Sequence, residues 1–213
     1  MKQSIADIRK EYSALSLKAS EVDANPVDQF LTWFDMALNA EIMEPNAMTL
    51  STIEGNKPTS RIVLLKGVEN EQFVFYTNYQ SAKGQQIEKN PFVSLNFFWP
   101  ELERQVRIDG EVKKVNESIS DDYFKSRPRA SQIGAWVSPQ SETIENREVL
   151  DKRLEEIELK FKDIEVERPP HWGGYSVKPN MIEFWQGRPS RLHDRILYTF
   201  SETKNWQIER LAP

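Results

Sequence analysis

Residues 191–195, RLHDR, set two arginines, a histidine and an aspartate in five positions, directly after the apolar and aromatic run MIEFWQG. Alternate residues of a strand share a face. Read as a strand, the segment points Arg191, His193 and Arg195 one way and Leu192, Asp194 and Ile196 the other. Cations gathered on one face repel unless an anion or carboxylates compensate them. Two readings stay open: a solvated strand end, or a site for an anionic ligand. A second cluster, DYFKSRPRASQ, puts Tyr123 four residues before Arg127, hence on one helical face. Pro128 breaks that helix and Ser131 follows it. Two hydroxyls and a guanidinium suit a phosphate, because arginine grips its oxygens bidentately; a helix cap beside a surface arginine is the other reading. In RIVLLK, Arg61 and Lys66 bracket an apolar strand and face opposite ways if it is regular. In YTNYQSAKG, a strand ends at Tyr76 and Thr77, and a helix begins near Ser81 with Lys83 in its first turn. Free N–H groups and the positive dipole end at such a terminus favour phosphate, although a simple capped turn has the same pattern.

Other chemistries are poorly supplied. The 213 residues contain no cysteine and two histidines, which leaves no disulfide, no thiolate nucleophile and too few soft ligands for a metal cluster, so no metal is expected. Neither standard nucleotide loop occurs, nor a GxSxG elbow, although a Ser-His-Asp arrangement stays open. The net charge of −5 argues against a nucleic-acid partner, which needs a basic footprint. No apolar run approaches the ~18 residues of a membrane span. The first residues lack the apolar core of a secretory signal, and the expected location is cytoplasmic.

The elements that must position these clusters follow from periodicity. SIADIRKEY reads as a short helix with a serine cap, within a mobile N-terminal arm over residues 1–20. NPVDQFLTWFDMALNAEI reads as a helix capped by Asn25, with Pro26 first and Phe30, Phe34 and Leu38 recurring every four residues. AMTLSTIE, SRIVLLKGV, QFVFYTN, FVSLNFFW and RQVRIDGEVKKV read as strands, with the helix SAKGQQIEKN after the third. Two helices flanking Pro128 and the charged helix ENREVLDKRLEEIELKFKDI come next. WGGYSVKP, MIEFWQG, RLHDRILYTF and WQIERLAP read as closing strands. The fold class is α+β, mainly β, in one domain over residues 1–213.

The order RIVLLK, YTNYQSAK, LERQVRIDG, SRPRASQIGAWVS, WGGY, IEFWQG, RLHDR and terminal ERLAP resembles the pyridoxine/pyridoxamine 5'-phosphate oxidase family, whose fold is an FMN-binding split β-barrel surrounded by helices. The resemblance runs from about Ile8 to Pro213. It implies a homodimer with FMN at the subunit interface. It also implies oxidation of pyridoxine or pyridoxamine 5'-phosphate to pyridoxal 5'-phosphate, with hydride passing from substrate C4' to flavin N5. Molecular oxygen would be the acceptor, giving hydrogen peroxide, with ammonia released from the amine. This activity belongs to vitamin B6 biosynthesis and salvage.

Carried over residue by residue, the resemblance assigns FMN to Arg61, Ile62, Val63, Leu64, Leu65 and Lys66, to Tyr76, Thr77 and Lys83, to Gln105, Gln140 and Ser141, and to Trp185 and Arg195. It assigns the substrate to Lys66, Tyr123, Arg127 and Ser131 at the phosphate, and to Arg191, Leu192 and His193 at the ring, with Arg191 and His193 the catalytic pair. Arg9, Lys10, Glu11 and Tyr12 match a segment that can close over the site. One departure stands out: the family usually carries arginine where this chain has Ala82, which implies weaker FMN binding. A different split-barrel flavoprotein, a non-catalytic carrier and a purely structural barrel are the rival readings. The first of these would lack the substrate set that is present here.

Overall fold

The computed structural model describes residues 4–7, 11–13, 15–201 and 205–213. Along the chain, a 3-10 turn at Ile5–Asp7 is followed by α1 (Pro26–Asn39), β1 (Ala47–Glu54), β2 (Lys57–Leu64), β3 (Gly67–Glu69), β4 (Gln72–Asn78) and α2 (Ala82–Lys89). Then come β5 (Phe92–Trp99), β6 (Arg104–Lys114), α3 (Glu117–Ser126), α4 (Arg129–Val137), α5 (Glu148–Lys160) and β7 (Trp172–Gln186). A 3-10 turn at Pro189–Arg191, β8 (Asp194–Phe200) and β9 (Trp206–Leu211) end it. Among the described residues the strands pair in the order β2-β1-β5-β6-β7-β4-β3, with β8 on β7 and β9 on β8. This is the mainly-β α+β class read from the sequence.

Local chemistry sets the element ends. The Asn25 side chain accepts from Val27 N at 2.9 Å and Pro26 opens α1, a capped start that satisfies an otherwise free N–H. The buried stripe of α1 is Val27, Phe30, Trp33 and Ala37, whereas the four-residue recurrence predicted Phe30, Phe34 and Leu38. Each four-residue step drifts by about 40° around a 3.6-residue helix, and Leu38 has rotated out to 51% exposure. Likewise, SRIVLLKGV is not one strand: β2 ends at Leu64 and β3 resumes at Gly67. WGGYSVKP and MIEFWQG are one 15-residue strand. Pro179 falls in the gap between the β4 ladder, which stops at Val177, and the β8 ladder, which starts at Met181, so neither of those two ladders needs its missing N–H. Of the predicted first helix, SIADIRKEY, the described residues show only a 3-10 turn at Ile5–Asp7, and Glu11 and Tyr12 are not helical; Ile8, Arg9 and Lys10 lie outside the described residues.

The chain divides into two compact units. The first comprises residues 1–50, 94–110 and 179–213. Its core is aromatic: Phe30 meets Phe97 at 5.0 Å, Trp33 meets Phe184 edge-on at 5.1 Å, and Phe184 meets Tyr198 at 5.6 Å. The Tyr198 hydroxyl donates to the carbonyl of Asp23 at 2.7 Å, which lets a phenol be buried without an unpaired polar group. The second unit comprises residues 51–93 and 111–178. There β4 pairs with both β3 and the first half of β7, antiparallel in each case. Its helices close over Phe124, Ile133, Val137, Phe161, Val166 and Trp172, with Leu150 and Ile157 of α5 packed against the cluster.

Candidate functional site

A cavity of about 980 Å³ opens in the second unit. It collects most of the residues picked out in three of the four sequence clusters, RLHDR being the exception. Arg61, Ile62, Val63, Leu64 and Lys66 line one part, Tyr76, Thr77 and Lys83 another, and Tyr123, Arg127 and Ser131 a third, with Gln140 and Ser141 at the edge. Leu65 is buried and does not line it. Because β2 stops at Leu64, Lys66 is freed from strand alternation, and Arg61 and Lys66 line the same cavity. The expectation that they face opposite ways is thereby corrected.

Two of the four cations, Arg61 and Lys83, are held by polar neighbours. The Arg61 guanidinium donates to Thr52 Oγ1 at 2.5 Å, to Thr59 Oγ1 at 3.0 Å and to Gln86 Oε1 at 2.9 Å. Burial lowers its pKa from the ordinary arginine value. Lys83 sits in the first turn of α2, whose N-cap is Ser81. Its ammonium donates to Gln140 Oε1 at 3.0 Å and Thr77 Oγ1 at 3.2 Å. Burial, with Arg61 adding to it, pulls its pKa below that of an ordinary lysine. Ala82, at the helix start, is exposed and contributes no donor there.

The third part is an aromatic stack with a guanidinium on it. The rings of Tyr76 and Tyr123 lie 3.9 Å apart at 17°, and Tyr76 stacks on Trp172 at 5.5 Å. The Arg127 guanidinium lies 4.6 Å from the Trp172 ring centre, a cation–π contact. Arg127 Nη1 is buried and has no hydrogen-bond partner among the described residues. A buried arginine nitrogen left unpaired is costly, and an anion within the cavity would satisfy it. Burial raises the pKa of both phenols, Tyr76 to about 12, so each is a neutral donor near pH 7. Four cations, several hydroxyls and a flat aromatic wall fit a group that is both planar and phosphorylated, as FMN is.

The remaining predicted residues are gathered in the first unit. Trp185 on β7 and Arg195 on β8 are register partners. His193 packs 4.6 Å from the Trp185 ring, and Tyr12 meets both rings edge-on at 5.6 and 5.7 Å. Gln105 shares its face of β6 with Arg107, and Arg107 reaches Glu183 at 3.3 Å. Glu11 and Leu192 are exposed; Arg9 and Lys10 lie outside the described residues.

The geometry of RLHDR differs from the strand reading. Residues 189–191 form a 3-10 turn, and β8 begins only at Asp194. Arg191, His193 and Arg195 therefore do not share one strand face. Ser190 and Arg191 have φ of 57° and 61°, a left-handed conformation that costs non-glycine residues about 1–2 kcal/mol each. Such strain clusters at functional sites. The charge is also compensated within the chain: Arg195 Nε donates to Glu183 Oε1 at 2.8 Å, and Asp194 faces Arg188 and Arg210. The sequence reading pointed Asp194 away from the cations, and it did not weigh Glu183, which precedes the motif.

His193 is held in one tautomer. The backbone N–H of Arg188 donates to its Nδ1 at 3.1 Å, so the neutral ring carries its proton on Nε2. Partial burial and nearby Arg191 lower its pKa. At neutral pH this ring offers a hydrogen-bond donor rather than a cation.

Sequence reasoning also missed Trp172, the shelf for Arg127, and Gln86, the shared acceptor for Arg61. The WGGY motif was the available signal for the former; nothing local marked the latter.

Comparison with known proteins bears on these two clusters. Residues 34–161 match the family model described as pyridoxamine 5'-phosphate oxidase, and residues 172–213 match the pyridoxine 5'-phosphate oxidase C-terminal dimerisation region. The chain is 55% identical to a pyridoxine/pyridoxamine 5'-phosphate oxidase of Gloeothece citriformis, with all of both chains covered. It is 53% identical to one of Acaryochloris marina over 99% of this chain and 96% of that one. Among solved structures, PhzG from Burkholderia lata in complex with tetrahydrophenazine-1-carboxylic acid superposes with a TM-score of 0.88 at 25% identity, over 96% of this chain and all of that one. An FMN-binding protein from Nostoc punctiforme, related to pyridoxamine 5'-phosphate oxidase, superposes at 0.72 and 17% identity, over 90% of this chain and all of that one, which bears on the fold alone. The chain belongs to the pyridoxine/pyridoxamine 5'-phosphate oxidase family and is an oxidase of the FMN-binding split-barrel fold that uses FMN.

Proposed function

We propose that the chain oxidises pyridoxine 5'-phosphate or pyridoxamine 5'-phosphate to pyridoxal 5'-phosphate. It would do so as a homodimer with FMN at the subunit interface, each site drawing on both chains. The observation that carries the reading is Arg127 Nη1, buried without a partner among the described residues, in a cavity that also presents Lys66, Tyr123 and Ser131. Bound FMN would supply the acceptor for the hydride leaving substrate C4', with oxygen as the final oxidant reduced to hydrogen peroxide and, for the amine, water releasing ammonia.

The chain's own residues then bind, orient and balance charge. Lys66, Arg127, Tyr123 and Ser131 hold the substrate phosphate. Lys83, Arg61, Thr77, Gln140 and Ser141 hold the FMN phosphate and its flank. Trp185, Gln105 and Arg195 support the flavin from the other cluster. Arg191 orients the substrate ring and supports charge developing as hydride leaves. His193, neutral and donating through Nε2, hydrogen-bonds a polar edge of the ring. A cytoplasmic setting within vitamin B6 supply completes the proposal, and the cysteine-free composition suits it.

Arg127→Ala tests the phosphate assignment. The loss of a charged hydrogen bond contributes about 1.5–3 kcal/mol, so KM for the phosphorylated substrate should rise roughly ten- to a hundredfold. FMN content should stay near that of the unaltered protein. If FMN content falls in parallel with substrate affinity, Arg127 serves the cofactor instead.

A further inference from the structure

Asp194, the one acidic residue of RLHDR, has no role in the account above. Its Oδ2 accepts the backbone N–H of Leu17 at 3.0 Å, and its Oδ1 accepts from Arg210 Nη1 at 2.7 Å. Arg210 Nη2 in turn donates to the carbonyl of Leu17 at 2.8 Å. One carboxylate and one guanidinium thus grip the N–H and the carbonyl of a single residue, Leu17, and bind each other. Arg188 Nε lies 3.5 Å from Asp194, and Arg188 Nη1 donates to the carbonyl of Leu15 at 3.0 Å. Leu17 is buried, although its neighbours Ser16 and Lys18 are exposed. A second tie holds the same segment further back, where Ser13 N donates to Glu103 Oε2 at 2.9 Å. Immediately before this second tie, Tyr12 rests against Trp185 and His193.

We propose that Asp194, acting with Arg210 and Arg188, is a positioning residue that anchors the N-terminal segment through Leu17 and thereby sets Tyr12 against Trp185 and His193. The role of Tyr12 rests on the functional reading above; the anchor itself does not. Charge-assisted hydrogen bonds to backbone groups are stronger than neutral ones, and three residues converge here on two adjacent stretches of chain. The aspartate in RLHDR therefore acts on the N-terminal segment, while its neighbours Arg191 and His193 act on the ligand.

The test uses Asp194→Ala and Asp194→Asn in the full chain loaded with FMN. Hydrogen exchange at the Leu17 amide reads the anchor, and steady-state kinetics with pyridoxine 5'-phosphate read its consequence. For Asp194→Ala, Leu17 exchange should quicken and KM rise, each by about tenfold, with kcat held within about twofold. Asn keeps an uncharged acceptor for the Leu17 N–H and should fall between. Unchanged Leu17 exchange in Asp194→Ala overturns the anchor. Faster exchange with an unchanged KM overturns the positioning role. If Asp194→Ala does not fold, Arg188→Ala, which removes the Leu15 contact, should show the same paired changes at smaller size, and their absence overturns the proposal. If the unaltered protein does not oxidise the substrate, the functional reading and the role of Tyr12 fall together. Leu17 exchange then still decides the anchor.

Discussion

The cations of the cavity differ in how they are held, and that difference has consequences for pH. Lys83 is pulled below the ordinary lysine value by burial and by Arg61. Its charged form is the one that attracts a phosphate. FMN affinity should therefore be full below that lowered value and fall as pH rises through it, sooner than for an exposed lysine. Lys83→Arg, always charged, should move the loss to higher pH. Flavin fluorescence titrations across alkaline pH check this, and an identical profile for both proteins would remove Lys83 from phosphate binding. At this scale the sequence revealed residue types well and their partners poorly. Arg61, Lys66, Lys83, Tyr123 and Arg127 were picked out as anion-binding types, and all line one cavity. Thr59 lies two residues from Arg61 on β2, but the other holders, Gln86, Thr52 and Trp172, come from other elements, and no local pattern links residues so far apart along the chain.

Among the elements, strands rich in β-branched and aromatic residues with marked ends were legible: AMTLSTIE, QFVFYTN and FVSLNFFW coincide with β1, β4 and β5. RLHDR was not. Its alternation of charge imitates a strand, but two left-handed residues and Pro189 turn the chain first. That turn brings Arg188 N–H onto His193 and leaves Gly187 beneath Tyr12. A Cβ added at Gly187 would lie 2.7 Å from Tyr12 Cγ and 2.9 Å from its Cβ, closer than atoms pack. Gly187→Ala should therefore displace Tyr12 while Asp194 keeps its hold on Leu17. The expected result is a raised KM with Leu17 amide protection retained, which separates it from the Asp194 variants. An unchanged KM would show that Tyr12 makes no contribution to the substrate. Acid should act on the anchor itself. Burial alone would raise the Asp194 pKa, but the Leu17 N–H, Arg210 and Arg188 outweigh it and the net value is lowered. A carboxylate with a lowered native pKa contributes stability above its unfolded value and loses it as pH falls through the native one, so the anchor holds throughout the neutral range.

For the molecule as a whole, the two clusters belong to different units of the chain, each with its own core. The second unit holds the phosphate-binding types and the first holds Trp185, His193, Arg195 and Tyr12. The sequence carried the fold class and, through its motifs, the family, because both rest on periodicity and on residue type. It did not carry the division into units, since the strands β1, β5, β6 and β7 each give residues to both, and β1, β5 and β6 read as uninterrupted elements.

The central claim is that these residues serve an FMN-dependent oxidation of a phosphorylated pyridine alcohol or amine. The most direct measurement is the flavin absorbance of the FMN-loaded protein as pyridoxine 5'-phosphate is added without oxygen. The account predicts that the flavin band bleaches as pyridoxal 5'-phosphate forms, and returns on admitting air with release of peroxide. A flavin band that stays oxidised at saturating substrate would contradict it.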